Sequence, residues 1–224
     1  ADSAVMNIII IKMAHNPSRV YYKDSYEEGK RVSPVCWSND SKKPDVEVRK
    51  PQAKSCHTCP NSVRGSGSGG VGTSCRLSWR VAIVLANDPE GDILELVLPS
   101  NSCFGKEEQN KWPFKTYVQM LADNNVSAGR IVTKMQFDPN SAKPRALFSP
   151  VEAAEDWVLE VVKDQAENQA AHNAIKLTVY QVDDKEDREP VKFEAFEASD
   201  KEQVKVKTAE EADDVNKIMD KWRK

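Results

Sequence analysis

Hydrophobic positions along the 224-residue chain fall into blocks, and a long polar stretch separates the first block from the rest. Met6 to Met13 contains four consecutive isoleucines, Ile8–Ile11. Their β-branched side chains are stiff at χ1 and favour an extended backbone, which predicts a buried strand. Residues 14–75 follow no period and carry Pro17, Pro34, Pro44, Pro51, Pro60 and the glycine-rich run Gly65–Gly72. A compact domain rarely contains so long a plain loop, so something other than an apolar core must hold this stretch, or it moves. The glycine-rich run itself reads as flexible. From Leu77 the pattern returns. Leu77–Ala86 and Asp92–Leu98 predict two strands joined by the turn sequence Asn87–Gly91. Pro113–Asn124 predicts a helix with Phe114, Tyr117, Val118 and Leu121 on one face. Gly129–Phe137 predicts a strand, with Arg145–Phe148 as its partner. Val151–Ala171 predicts a helix whose apolar face is Trp157, Val158, Val161 and Val162. Ile175–Val182 predicts a last strand. The capping box Thr208–Glu211 opens a terminal helix with Val215, Ile218, Met219 and Trp222 on one side.

Strand, insertion, two-stranded hairpin, helix, strand and partner strand is the order of an OB-type five-stranded barrel. The expected fold is mixed α/β and β-rich. An OB-like five-stranded barrel spans 6–182 and carries an insertion at about 14–76, and C-terminal helices follow. Residues 183–224 form a separate acidic C-terminal region ending in the terminal helix.

Charge sharpens this division. The net charge is −3, but residues 1–80 hold 13 Lys+Arg and 7 Asp+Glu, a net of +6, while residues 151–224 hold 12 and 20, a net of −8. A basic third joined to an acidic third suits a polyanion-binding face with an acidic arm, and equally an ordinary acidic surface. No run approaches the ~18 apolar residues that cross a bilayer, so no membrane association is expected. No secretory signal pattern is present, and a reducing, cytoplasmic location is the expectation.

Four of the five cysteines lie in the insertion, spaced Cys36-x19-Cys56-x2-Cys59-x15-Cys75; the fifth is Cys103. Two thiolates two residues apart in a turn reach one tetrahedral ion, and two more close the site. One structural Zn2+ would supply the folding energy that the insertion lacks. Two disulfides, a redox Cys-x-x-Cys pair and an iron–sulfur cluster are the competing uses of these residues. Cys103 is left as a buried thiol.

The same third interleaves cations with aromatic residues: Arg19, Tyr21, Tyr22, Lys23, Tyr26, Arg31, Trp37, Lys42, Lys43, Arg64, Arg76, Trp79 and Arg80. Single strands of nucleic acid are held by such a mixture, cations on phosphates and ring faces under bases, at ~1–3 kcal/mol per stacked base. Each residue alone is equally a packing or surface residue. No Walker loop, nucleophile elbow or His-Glu-x-x-His motif occurs, and the three histidines have no evident catalytic partners. An enzyme is not expected.

Ser33–Asp40 (SPVCWSND), Pro44-Asp45, Cys56-x2-Cys59-Pro60 and the glycine-rich loop together resemble the single-stranded DNA-binding proteins encoded by bacteriophages, over about residues 6–150. The resemblance implies structural zinc on Cys36, Cys56, Cys59 and Cys75, and a DNA groove lined by Tyr21, Tyr22, Trp37 and neighbouring Arg and Lys residues. It implies sequence-nonspecific binding of single-stranded DNA in phage DNA replication, recombination or repair. Replication or recombination proteins would be partners of the acidic region, and the location would be the cytoplasm of the host. The alternative function is a regulator that binds a host or viral protein, such as a polymerase, through that acidic region.

Overall fold

The structure is a computed structural model that describes residues 5–23 and 32–179. The acidic region at 183–224, its terminal helix, and the candidate residues Tyr26 and Arg31 lie outside the described residues. In chain order the elements are strands β1 (Val5–Met13), β2 (Ser18–Tyr21), β3 (Cys36–Ser38), β4 (Cys75–Leu85) and β5 (Leu94–Pro99), then helices α1 (Ser100–Cys103) and α2 (Phe114–Asp123). Strands β6 (Ile131–Phe137) and β7 (Ala146–Ala153) and helices α3 (Asp156–Glu167) and α4 (Gln169–Ala174) follow.

Among the described residues these strands form one seven-stranded antiparallel sheet in a β-rich, mixed α/β fold. The order is β3-β2-β4-β1-β6-β7, with β5 also paired to β4. Long β4 organises it. One of its edges takes β1 along Val81–Leu85 and β2 along Cys75–Ser78, and the other takes β5. The expected closed five-stranded barrel is not what forms. After Pro99 the chain turns directly into α1, whose Ser102 hydroxyl accepts the Ala146 N–H of β7 at 2.9 Å. That N–H is one a closing strand would have used. Among the described residues the backbone pairing of β7 with the segment after α1 is an isolated bridge, Trp112 to Phe148.

Burial on both faces of β1 explains its four isoleucines. Ile8 and Ile10 join Val81, Ile83, Leu98, Phe114, Tyr117, Leu121, Ile131 and Phe148 in the main core under α2. Ile9 faces Val84, Val158 and Val162 beneath α3, and Ile11 packs there and against Ala82, Ala171 and Ala174. Strict alternation would carry Lys12 into the main core. A bulge between Ile10 and Lys12 shifts the register, pairing Lys12 with Ala82 and Met13 with Val81. Lys12 therefore points away from the main core, toward α3 and α4, where its Nζ donates to the Ala166 carbonyl at 2.9 Å and meets His172 Nε2 at 3.1 Å, and Met13 turns into the core instead.

The predicted hairpin and the helix at 113–124 are present as β4–β5 and α2. Tyr117 is fully buried with its hydroxyl 2.8 Å from Thr133 Oγ1, and burial pushes the phenol's pKa up. The predicted helix at 151–171 is corrected. Val151–Ala153 completes β7, α3 starts at Asp156, and Asn168 caps a separate α4 by accepting the Ala170 N–H. Starting there, α3 buries Val158 and Val162 and leaves Trp157 52% exposed. The strand expected at 175–182 is also absent over its described part, 175–179. Leu177 N–H instead donates to Asn39 Oδ1 at 3.0 Å, and Leu177 and Val179 pack with Val20 and Trp37.

Candidate functional site

Strand register sorts the insertion's side chains into two groups. Paired residues of antiparallel neighbours share a face. Arg19 pairs with Leu77 and Ser38, and Tyr21 with Cys75 and Cys36, so these residues lie on one face of β2–β3–β4. Val20 pairs with Arg76 and Trp37, and Ser18 with Ser78, on the opposite face.

On the first face the four insertion cysteines meet. The loop carrying Cys56 and Cys59 is drawn over the strand ends by the Cys56 N–H bond to the Lys42 carbonyl, 2.9 Å. Ser62 N–H to the Cys59 carbonyl, also 2.9 Å, closes the tight turn after Pro60. Cys36, Cys56, Cys59 and Cys75 are all buried, all free thiols, and all line one cavity of about 10 Å³ with Arg19, Ser38 and Ser62. That volume is about the least that admits one water. Among the described residues no group of three or more His, Cys, Asp or Glu side chains already stands in ion-holding geometry. Burial raises the Cys75 thiol to about 11 and also raises Cys56, while the charge of Arg19 pulls both the other way. Buried thiols of this kind stay protonated near neutrality unless a cation displaces the protons.

Apolar packing supplies little else to hold the insertion. Cys36, Trp37 and Val48 are its buried apolar cluster, whereas Val46 is 97% exposed and Val63 and Val71 are also exposed. Local polar bonds shape its turns: Asp40 accepts from Ser38 Oγ at 3.1 Å and Lys42 N at 2.8 Å, and Asp45 accepts from Asn39 Nδ2 at 2.8 Å. The hydrogen bonds that Asp40 accepts outweigh its burial and lower its pKa. Local bonds also cross the glycine-rich run. Gly65 N–H bonds the Gly72 carbonyl, Gly70 N–H bonds the Gly67 carbonyl, and Ser74 Oγ donates to the Ser66 carbonyl. Gly69, Gly70 and Gly72 have φ of +73° to +74°, which L side chains adopt only with strain.

The candidate nucleic-acid residues separate by position. Lys23, Lys42, Lys43, Arg64 and Arg76 are exposed. Tyr22 is half-buried, with the Arg76 guanidinium 5.8 Å from its ring centroid. Arg80 is committed within the protein: Nη1 donates to Ser18 Oγ at 2.6 Å and Nε to Glu95 at 3.1 Å, and desolvation lowers its pKa. Trp79 packs against the main core, donates from Nε1 to the Ala14 carbonyl at 2.6 Å and meets Phe114 edge-on at 5.7 Å. Trp37, 4% exposed, is a core residue of the insertion with no face open to a base, and Tyr21 lines the cysteine cavity. Arg19 lines that cavity too. Among the described residues its buried Nε and Nη1 have no hydrogen-bond partner, and the same holds for Ser62 Oγ. Ser38 and Ser62 carried no signal in the sequence, because a serine near a cysteine is indistinguishable from any loop serine. Cys103 is fully buried in the main core, its thiol raised to about 12 by burial.

No protein-family model, curated protein or solved structure matches the chain.

Proposed function

We propose that the protein binds single-stranded DNA without sequence preference, in replication, recombination or repair, and that one structural Zn2+ on Cys36, Cys56, Cys59 and Cys75 stabilises the insertion presenting the DNA-binding residues. The observation that carries this is the division of β2–β4 into two faces. One gathers four free, buried cysteines; the other exposes Arg76, whose guanidinium stands 5.8 Å from the Tyr22 ring centroid. Four thiols around a space of about 10 Å³ fit a single ion better than a multi-iron cluster, and four-coordinate thiolate is a common zinc shell. The metal, when bound, would ionise the thiols and cross-link three separate segments, β3, the Cys56–Cys59 loop and β4, of an insertion with little apolar core.

The strand sequence supports an OB-type arrangement. If β1 and β2 count as one interrupted strand, β5, β4, β1–β2, β6 and β7 follow one another as OB strands three, two, one, four and five, with α2 between β5 and β6. Such folds bind oligonucleotides across the outer face of strands two and three. The equivalent face here carries Arg76, which stands over the Tyr22 ring, and the exposed Val97, which pairs with Arg80. No catalytic set is part of this reading.

Anisotropy of a fluorescent poly-dT oligonucleotide tests the function. It is a better report than tryptophan quenching, because Trp37 and Trp112 are buried. Binding that weakens steeply with salt is expected, and no binding at low salt refutes the proposal. Metal content should be about one zinc per chain; a metal-free protein with an ordered insertion removes the zinc. Retention of a protein partner without DNA binding would favour the regulator instead.

A further inference from the structure

We infer that Arg19 and Ser62 are the outer-shell donors of the cysteine cluster, their N–H and O–H groups directed to thiolate sulfurs, and that Arg19 belongs to the metal centre and not to the DNA groove. This rests on the zinc reading above. Three buried donor atoms, Arg19 Nε and Nη1 and Ser62 Oγ, have no acceptor, yet both residues line the cavity that the four cysteines line. A buried donor left unpaired costs about 1–3 kcal/mol, more when charged, so three in one place call for a stronger acceptor than a neutral thiol, whose sulfur accepts only weakly. Thiolates would provide it. Four of them on one Zn2+ carry a net charge of −2, and the buried guanidinium brings the unit to −1 and lowers the cost of keeping it out of water. Register enforces the placement: Arg19 sits one residue from Ser18, which faces the other way, and shares a face with Cys75 and Cys36 through its neighbour-but-one Tyr21. As zinc enters, four thiol protons leave to solvent and the unpaired donors acquire acceptors. The arrangement is a positioning and charge-balancing shell, with no role in direct DNA contact.

The test uses the full chain and three variants, Arg19→Met, Arg19→Lys and Ser62→Ala. Zinc affinity comes from competition with a chromophoric chelator, and cobalt(II) replaces zinc for spectroscopy. Arg19→Met should weaken zinc binding about 10–100-fold, as loss of outer-shell partners does, with Arg19→Lys intermediate and Ser62→Ala about 3–10-fold weaker. The thiolate-to-cobalt charge-transfer band should move to lower energy in Arg19→Met, because an unshielded thiolate gives up an electron more readily. With metal bound, poly-dT affinity should stay within about twofold of the parent. Unchanged zinc affinity and an unmoved cobalt band overturn the inference, as does lost DNA affinity with intact zinc binding. Should Arg19→Met not fold, Ser62→Ala and Arg19→Lys decide by the same two readouts. A parent chain that binds neither metal refutes the zinc reading itself and this inference with it, a result distinct from a metal-binding parent whose variants are silent.

Discussion

Arg76 and Arg80 lie four residues apart on β4 and point to the same side of the sheet, yet the structure gives them opposite roles. Arg76 is exposed and stands over the Tyr22 ring at 5.8 Å. Arg80 has a side chain only 12% exposed and is tied to Ser18 and Glu95. Replacing each with alanine should therefore separate binding from stability. Five exposed candidate cations, Lys23, Lys42, Lys43, Arg64 and Arg76, set the scale. If each meets one phosphate at about 0.7 per contact, the slope of log affinity against log salt is about −3.5, an affinity loss of roughly 100-fold between 50 and 200 mM. Arg76→Ala should flatten the slope to about −2.8 and remove a further factor of about two to five, as the cation no longer orders the tyrosine ring. Its urea midpoint should hardly move. Arg80→Ala should leave the slope near −3.5 and cost about 1–3 kcal/mol of stability, chiefly through the hydrogen bonds of its buried end. The Glu95 contact contributes less, since Glu95 is 45% exposed and solvent screens it. Poly-dT anisotropy at four salt concentrations and urea denaturation measure both quantities. A flatter slope in Arg80→Ala with an unaltered Arg76→Ala would refute the assignment of faces.

Metal-free protein should lose stability as pH rises above about 9. The unfolded thiols ionise there, while Cys75 stays protonated to about 11 and Cys103 to about 12. Their raised folded pKa values thus stabilise only at lower pH. Zinc-loaded protein should instead gain stability between about pH 6 and 8, where the unfolded thiols hold protons the bound form has released; chemical denaturation across pH with and without chelator shows whether the slopes differ in sign. Deleting 183–224, which removes 14 acidic and 10 basic residues, should raise poly-dT affinity at low salt and lose that effect at high salt; unchanged affinity would exclude competition. Phe148→Ala should cost about 3–5 kcal/mol by thermal or urea unfolding, since the ring is fully buried between Phe114 and Tyr117; a loss under 1 kcal/mol would contradict that packing.

The β-rich core was legible wherever pattern and turn chemistry agreed. Asn87–Gly91 marked the β4–β5 hairpin, and the spacing of Phe114, Tyr117 and Leu121 marked α2. The failures have physical causes. Val151–Ala153 fits a helix face and a strand equally, and only pairing with β6 settles it. The bulge before Lys12 is an added residue in one strand, invisible to a period-2 count that places the lysine inside. Barrel closure depends on whether the chain after Pro99 extends or turns, and α1 with its Ser102 hydroxyl answers that through a contact 44 residues away. In Gly65–Gly72 glycine signals both freedom and left-handed backbone, and the left-handed geometry, three glycines with φ of +73° to +74°, could not be read from the sequence.

The candidate site shows the same limit more sharply. Cysteine spacing marks candidates for one shared site, so Cys36, Cys56, Cys59 and Cys75 could be grouped before any fold was known, and all four line one cavity. Arginine announces only a charge. Arg19, Arg76 and Arg80 looked equivalent along the chain, and register alone distributes them: Arg19 with Cys36 and Cys75 on one face, Arg76 beside Tyr22 and Arg80 beside Ser18 on the other. A one-residue slip of β2 would exchange those faces, putting Arg19 on the side of Trp37 and Ser78 and Val20 among the cysteines. The Ser18–Ser78 contact at 3.3 Å and the Arg80–Ser18 bond oppose that slip from the side away from the cavity. Arg80, read along the chain as a DNA contact, therefore also holds the register on which the cysteine cavity depends. Loss of Arg80 should loosen the cavity without removing any residue that lines it.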